Sequence, residues 1–140
     1  MRRFLEGILI SSLLLTMMCP VLGATKTVRW TVPADDGSDC LTGDPVEYDI
    51  AWSIDSAALL AASTEGGFTS GPLVSVIAGQ SCGECGTVED HTLADLPSGM
   101  RVYVAVKCRD DAGNTSEISN ILRFETVDEI APAAVMDLRL

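Results

Sequence analysis

Apolar and polar residues alternate with a period of two along most of this chain, the spacing of half-buried β-strands. Between Lys26 and Pro33, Val28, Trp30 and Val32 share one face while Thr27, Arg29 and Thr31 share the other. Val46, Tyr48, Ile50 and Trp52 alternate with Glu47, Asp49, Ala51 and Ser53. In the longest such segment, Val102, Val104, Val106 and Cys108 form an apolar row, and Tyr103, Ala105, Lys107 and Arg109 form a mixed row predicted to face away from the core. Thr87 to Leu93 places His91 and Leu93 on one face, and Ile118 to Thr126 places Leu122 and Phe124 on one face. Pro72 to Ala78 reads as a short edge strand, since an edge tolerates a leading proline.

Turn chemistry separates these segments: an Asp/Gly/Ser loop after Pro33, Gly43-Asp44-Pro45, Leu96-Pro97-Ser98-Gly99, and Asp111-Ala112-Gly113-Asn114, where Gly113 is free to take positive φ. Residues 55–64 hold good helix formers without an amphipathic period and read as a short helical turn or irregular crossover. Strands punctuated by turns roughly every 8–12 residues, with no sustained helical period, predict an all-β fold, an immunoglobulin-like antiparallel β-sandwich. Its expected core is Val28, Trp30, Tyr48, Ile50, Trp52, Leu93, Leu96, Val104, Val106, Leu122 and Phe124.

The first residues do not fit this pattern. Arg2 and Arg3 precede a 12-residue apolar run, Gly7 to Met18, which is shorter than the roughly 20 residues a membrane span needs. Val21-Leu22-Gly23 then offers a cleavage site before Ala24, so residues 1–23 read as a secretory signal peptide. The alternatives are an uncleaved anchor, or lipid attachment at Cys19, where Met18 stands in place of the small residue wanted before the cysteine. Removing residues 1–23 takes away two arginines and one glutamate and leaves seven basic and 19 acidic residues, a net charge of −12. Such a surface repels phosphate backbones and anionic lipid, so no nucleic-acid partner is expected, and no membrane partner after cleavage.

Residues VRWTVPADDGS (28–38), VEYDIAWS (46–53) and LADLPSGMRVYVAVKCRDDAGNTSEISN (93–120), with the closing strand, together resemble a fibronectin type III domain of the kind found in exported bacterial multidomain proteins. Trp30 matches that family's core tryptophan, and Leu96-Pro97 its leucine-proline turn. The resemblance spans residues 25–127. Where the family has a tyrosine six residues after the turn leucine, this chain has Val102, which removes the expected corner hydrogen bond. Residues 128–140 resemble a proline-bearing linker, Ile130 to Leu138, entering the first strand of another such domain. The resemblance implies a stiff module with termini at opposite ends.

Four cysteines follow the leader: Cys40, Cys82, Cys85 and Cys108. An even count in an exported chain favours disulfides. Three pairings are open; Cys82–Cys85 with Cys40–Cys108 is the favoured one, because the fold implied by the resemblance gathers all four at one pole. The alternatives are a four-thiolate zinc site, for which one CxxC is half of the usual spacing signal, and a thioredoxin-like Cys82-Gly83-Glu84-Cys85, which lacks its βαβ setting. Asp35, Asp36, Asp39, Asp110 and Asp111 are calcium candidates from two loops at the same pole, with turn capping as the plainer reading. No other cofactor is expected. His91, the only histidine, reads as a structural residue, and no hydrolase, kinase or dinucleotide motif occurs. Asn114-Thr115-Ser116 satisfies the glycosylation sequon. The inward alternation of Trp30, Tyr48, Trp52 and Phe124 makes these rings core rather than a sugar platform.

These features predict a non-enzymatic structural or adhesive module, or spacer, of a secreted or cell-surface protein. Its partners would be neighbouring domains of the same polypeptide, or a surface protein or glycan. The competing expectation is a glycan- or peptide-binding accessory module of an exported hydrolase.

Overall fold

A computed structural model describes residues 23–34, 45 and 47–128. Strand β1 (Ala24–Thr31) pairs antiparallel with β6 (Val88–Leu96), placing Val28 opposite His91 and Trp30 opposite Glu89. A second, four-stranded antiparallel sheet has the order β5 (Val74–Ser81), β2 (Glu47–Ser53), β7 (Arg101–Arg109) and β8 (Leu122–Glu125). Between β2 and β5 lie helix α1 (Ser56–Ala61) and a small hairpin of β3 (Ser63–Thr64) and β4 (Gly67–Phe68). The fold is thus all-β and antiparallel, and the strands predicted from alternation are present, with Pro72–Ala78 realised as the edge strand β5.

The two larger sheets share one core. Val28, Leu93 and Leu96 from the β1–β6 pair meet Tyr48, Ile50, Val102, Val104 and Cys108 from the four-stranded sheet, with Trp30, Trp52 and Phe124 packed at the margin. Trp30 and Tyr48 sit edge to face with centroids 4.8 Å apart, and His91 follows at 6.5 Å from Tyr48, so an aromatic row bridges the sheets. Such edge-to-face contacts add about 0.5–1.5 kcal/mol each beyond the area they bury.

Leu93 and Leu96 are both fully buried although three residues apart, a spacing that sends side chains of a regular strand to opposite faces. The register explains it. Between Ala24 and Lys26 on β1, β6 carries one extra residue, and Asp95 takes φ 55° there. Aspartate tolerates this left-handed conformation better than most side chains. The bulge resets the phase of β6, lengthens the expected strand and turns Leu96 inward.

The mixed row of β7 is not solvated, contrary to the alternation-based expectation. Ala105 is buried with Ala51 and Leu59 in a second cluster, where Tyr103, Phe68, Ile118 and Ile121 pack against them. Ala51 and Ala105 lie directly opposite one another, and two small side chains at that point let α1 approach the sheet. Asp55 starts the helix: its Oδ1 accepts from the Ala57 and Ala58 N–H groups at 2.8 and 3.3 Å, satisfying donors that a helix start leaves free.

The last strand is shorter than predicted. Ser116 and Ser119 accept the Cys108 and Val106 N–H groups on their hydroxyls, at 2.9 and 3.0 Å. Side-chain oxygens thereby take bonds that strand carbonyls would otherwise receive, and regular pairing resumes only at Leu122. Leu122 itself is 43% exposed, so it is not the core residue expected.

The described chain begins and ends at one pole. Gly23 abuts the backbone of Asp95, and Asp128 lies against Gly99, so both ends flank the Leu96–Met100 turn. The opposite-ended arrangement implied by the resemblance does not hold for these residues.

Candidate functional site

Three arrangements carry chemistry: a pair of thiols, a charged clamp and an open groove. The thiols come first. Cys108 is buried on β7 opposite Tyr48, and Cys82, just past the end of β5, packs against the same core. Both are free, and each is a close enough neighbour to shift the other's proton affinity. Burial pushes the Cys82 thiol up to about 12, with the neighbouring Cys108 adding to the rise. Burial also raises Cys108, against a smaller opposing effect of the bond from Cys82. A thiolate nucleophile needs the opposite shift, so this environment does not suit thioredoxin-like chemistry.

Cys85 is disulfide-bonded. The favoured pairing is therefore corrected: Cys82 is not joined to Cys85, and Cys108 is not joined to Cys40. The physical reason is where the β5–β6 crossover lands, which packs Cys82 against the core cluster that holds Cys108. Cys40 lies outside the described residues. Among the described residues, no group of three or more His, Cys, Asp or Glu side chains converges as a metal site.

Of the calcium candidates, Asp35, Asp36 and Asp39 lie outside the described residues. Asp110 is engaged in its own turn. Its Oδ1 accepts from the Asn114 N–H at 2.7 Å, and its Oδ2 accepts from Asn114 Nδ2 at 2.6 Å. Those bonds, the Asn114 side chain first, hold its carboxyl below the ordinary aspartate value. Asp111 is exposed beside it. His91 is half-buried against Tyr48, as its position beside Leu93 predicts.

The charged clamp was not anticipated. Arg109 reaches Glu47 at 3.0 Å and Asp49 at 3.3 Å, and also donates to the Gly66 carbonyl at 3.1 Å. Asp49 is 5% exposed and accepts from the Gly79 N–H at 2.9 Å. Lys107, equally buried, donates to the Thr64 carbonyl. These contacts pin the β3–β4 hairpin onto the sheet. Gly67 takes φ 125° at its tip, and a Cβ there would strike the Asp49 carboxylate, so only glycine fits. A signal was present in the sequence: two acids two residues apart on one strand, and two bases likewise spaced on another, fall opposite each other when Glu47 pairs Arg109 and Asp49 pairs Lys107.

The groove lies between the sheets. Its volume is about 500 Å³; β1 forms one wall with Val28 and Trp30, and Val104, Val106 and Leu122 form the other. Among the described residues, β1 pairs only with β6, so its second edge faces this groove without a strand. Trp30 Nε1 is buried with no hydrogen-bond partner. An orphaned buried donor costs about 1–3 kcal/mol, which an incoming acceptor would recover.

No protein-family model matches this chain, and no curated protein is similar to it.

Proposed function

We propose that this chain is a non-enzymatic structural or adhesive module of an extracytoplasmic protein, a β-sandwich of the fibronectin type III kind that joins neighbouring modules by accepting an extended strand. The observation that carries this reading is that, among the described residues, β1 has a second edge without a strand beside an apolar groove. A free edge offers a row of backbone donors and acceptors, and a flanking groove offers pockets for alternate side chains. Trp30 Nε1 adds a donor awaiting an acceptor.

The occupant is an extended segment of a neighbouring module, of the type that residues 133–140 present. There Met136, Leu138 and Leu140 alternate with Val135, Asp137 and Arg139, which fits one apolar and one wetter face. The apolar lining favours polypeptide over glycan, the other candidate partner. The leader-like residues 1–23 support export, and the reading invokes no cofactor.

The test uses the processed chain carrying Met136→Asp and Leu138→Asp in its own tail, titrated with a synthetic peptide of residues 129–140. Tryptophan fluorescence, read in a Trp52→Phe background so that Trp30 alone reports, is expected to shift and saturate at one peptide per chain, with a Kd below about 1 mM, equivalent to about 4 kcal/mol. Adding Leu122→Asp to the groove wall should abolish the shift. An unchanged spectrum at saturating peptide, or a shift insensitive to Leu122→Asp, counts against the reading.

A further inference from the structure

We infer that Cys82 and Cys108 close as a disulfide in the exported protein and pin the β5–β6 crossover to β7. The geometry carries this. The two thiols are neighbours, each acting on the other's proton affinity, and both belong to a single packed cluster with Tyr48 and Val104. Bond formation needs the further approach of two sulfurs that already share one packed cluster.

The chain around them points the same way. Cys85, three residues past Cys82, is itself disulfide-bonded, so the crossover belongs to a segment that meets an oxidant. The leader-like start directs the chain to compartments where such bonds persist. Two free thiols used as small apolar fillers is the competing reading, but it leaves a reactive pair in contact in an oxidising compartment.

The chemistry balances with a disulfide-bearing protein oxidant of the thiol–disulfide exchange class. The thiolate of Cys82 attacks the oxidant's disulfide and expels one of its sulfurs as a thiolate. The thiolate of Cys108 then attacks the Cys82 sulfur of that mixed disulfide and expels the second. Cys82 and Cys108 together lose two protons and two electrons, and the oxidant leaves as its dithiol. Because burial holds both thiols protonated in the finished fold, the exchange belongs to the newly exported chain before its core closes.

The bond would tie the crossover between the two larger sheets to the four-stranded sheet, at the end of β7 beside the Asp110–Asn114 turn. It would also exclude the Cys82–Cys85 link that the CxxC spacing suggests.

The experiment is peptide mapping of the full chain exported by a host with an oxidising secretory compartment, alkylated in denaturant without reduction. The expected result is a linked peptide pair containing Cys82 and Cys108, with neither residue alkylated. Alkylation of both residues, or a link from either to another cysteine, overturns the inference. Melting measurements supply the second arm. Without reductant, Cys82→Ala, Cys108→Ala and the double variant should each melt about 10–20 °C below the parent, and by the same amount, since each removes the same bond. With reductant, which also opens the Cys85 bond, the parent and the three variants should melt together. A parent whose melting does not respond to reductant, or single variants whose losses add in the double, would also overturn it.

Discussion

Truncating Leu96 to alanine is expected to cost about 3–4 kcal/mol and to lower the melting temperature by roughly 15–25 °C. Leu96 is fully buried in the shared core, although Pro97 and Gly99 beside it read as a turn. The loss combines the transfer free energy of the removed methyl groups with the cavity left between two sheets held apart by their other side chains. Leu122→Ala is the matched comparison. Leu122 belongs to the same alternating pattern but is 43% exposed, so its truncation should cost under about 1 kcal/mol. Denaturant titration of both variants decides the matter. Equal losses at Leu96 and Leu122 would mean that β6 lacks its bulge and that Leu96 faces water.

Replacing Arg109 with leucine is the second large effect. Asp49 is almost fully buried, and once the guanidinium is gone its carboxylate keeps the Gly79 N–H but has lost its cation. Breaking a buried pair from one side costs about 3–5 kcal/mol. Arg109 is itself 30% exposed, and Glu47 more so, which screens part of the interaction. A loss of roughly 2–3 kcal/mol follows. Asp49→Asn, which retains an acceptor for Gly79, should cost less. The double variant should cost clearly less than the sum of the two singles, because an uncharged asparagine needs no cation. Additive losses in thermal melts would show that the clamp is not coupled.

What could be read from the sequence depended on how local each signal was. The strands were legible because Val28, Trp30, Ile50 and Val104 each follow a two-residue period that neighbouring residues fully specify. The burial of β7 on both faces was not, since Ala105 and Lys107 look solvated until α1 and the β3–β4 hairpin fold back over them. The inward turn of Leu96 depends on one backbone conformation at Asp95, which no periodicity encodes. The last predicted strand, Ile118 to Thr126, misled for a different reason: Ser119 falls inside it, yet its hydroxyl, like that of Ser116 before it, takes an N–H of β7.

The candidate sites divide along the same line. The local turn at Asp110 was legible, because an aspartate four residues before Asn114 can close it without help from elsewhere. Pairing of the cysteines was not, because it turns on which strand the β5–β6 crossover passes over. The Arg109 clamp sat between these cases. Its charges were visible, but their partnership needed the register between β2 and β7. The groove needed the whole topology, since the order of strands is what shows that β1 pairs on one edge with β6 and, among the described residues, with no strand on the other.

Hydrogen–deuterium exchange of the processed chain with its tail substitutions, with and without the peptide of residues 129–140, tests the strand-accepting edge most directly. Protection gained along Ala24–Thr31 on peptide addition, with β5 at the far edge of the other sheet unchanged, is the result the account predicts. Protection that falls on β5, or none on β1 at saturating peptide, would contradict it.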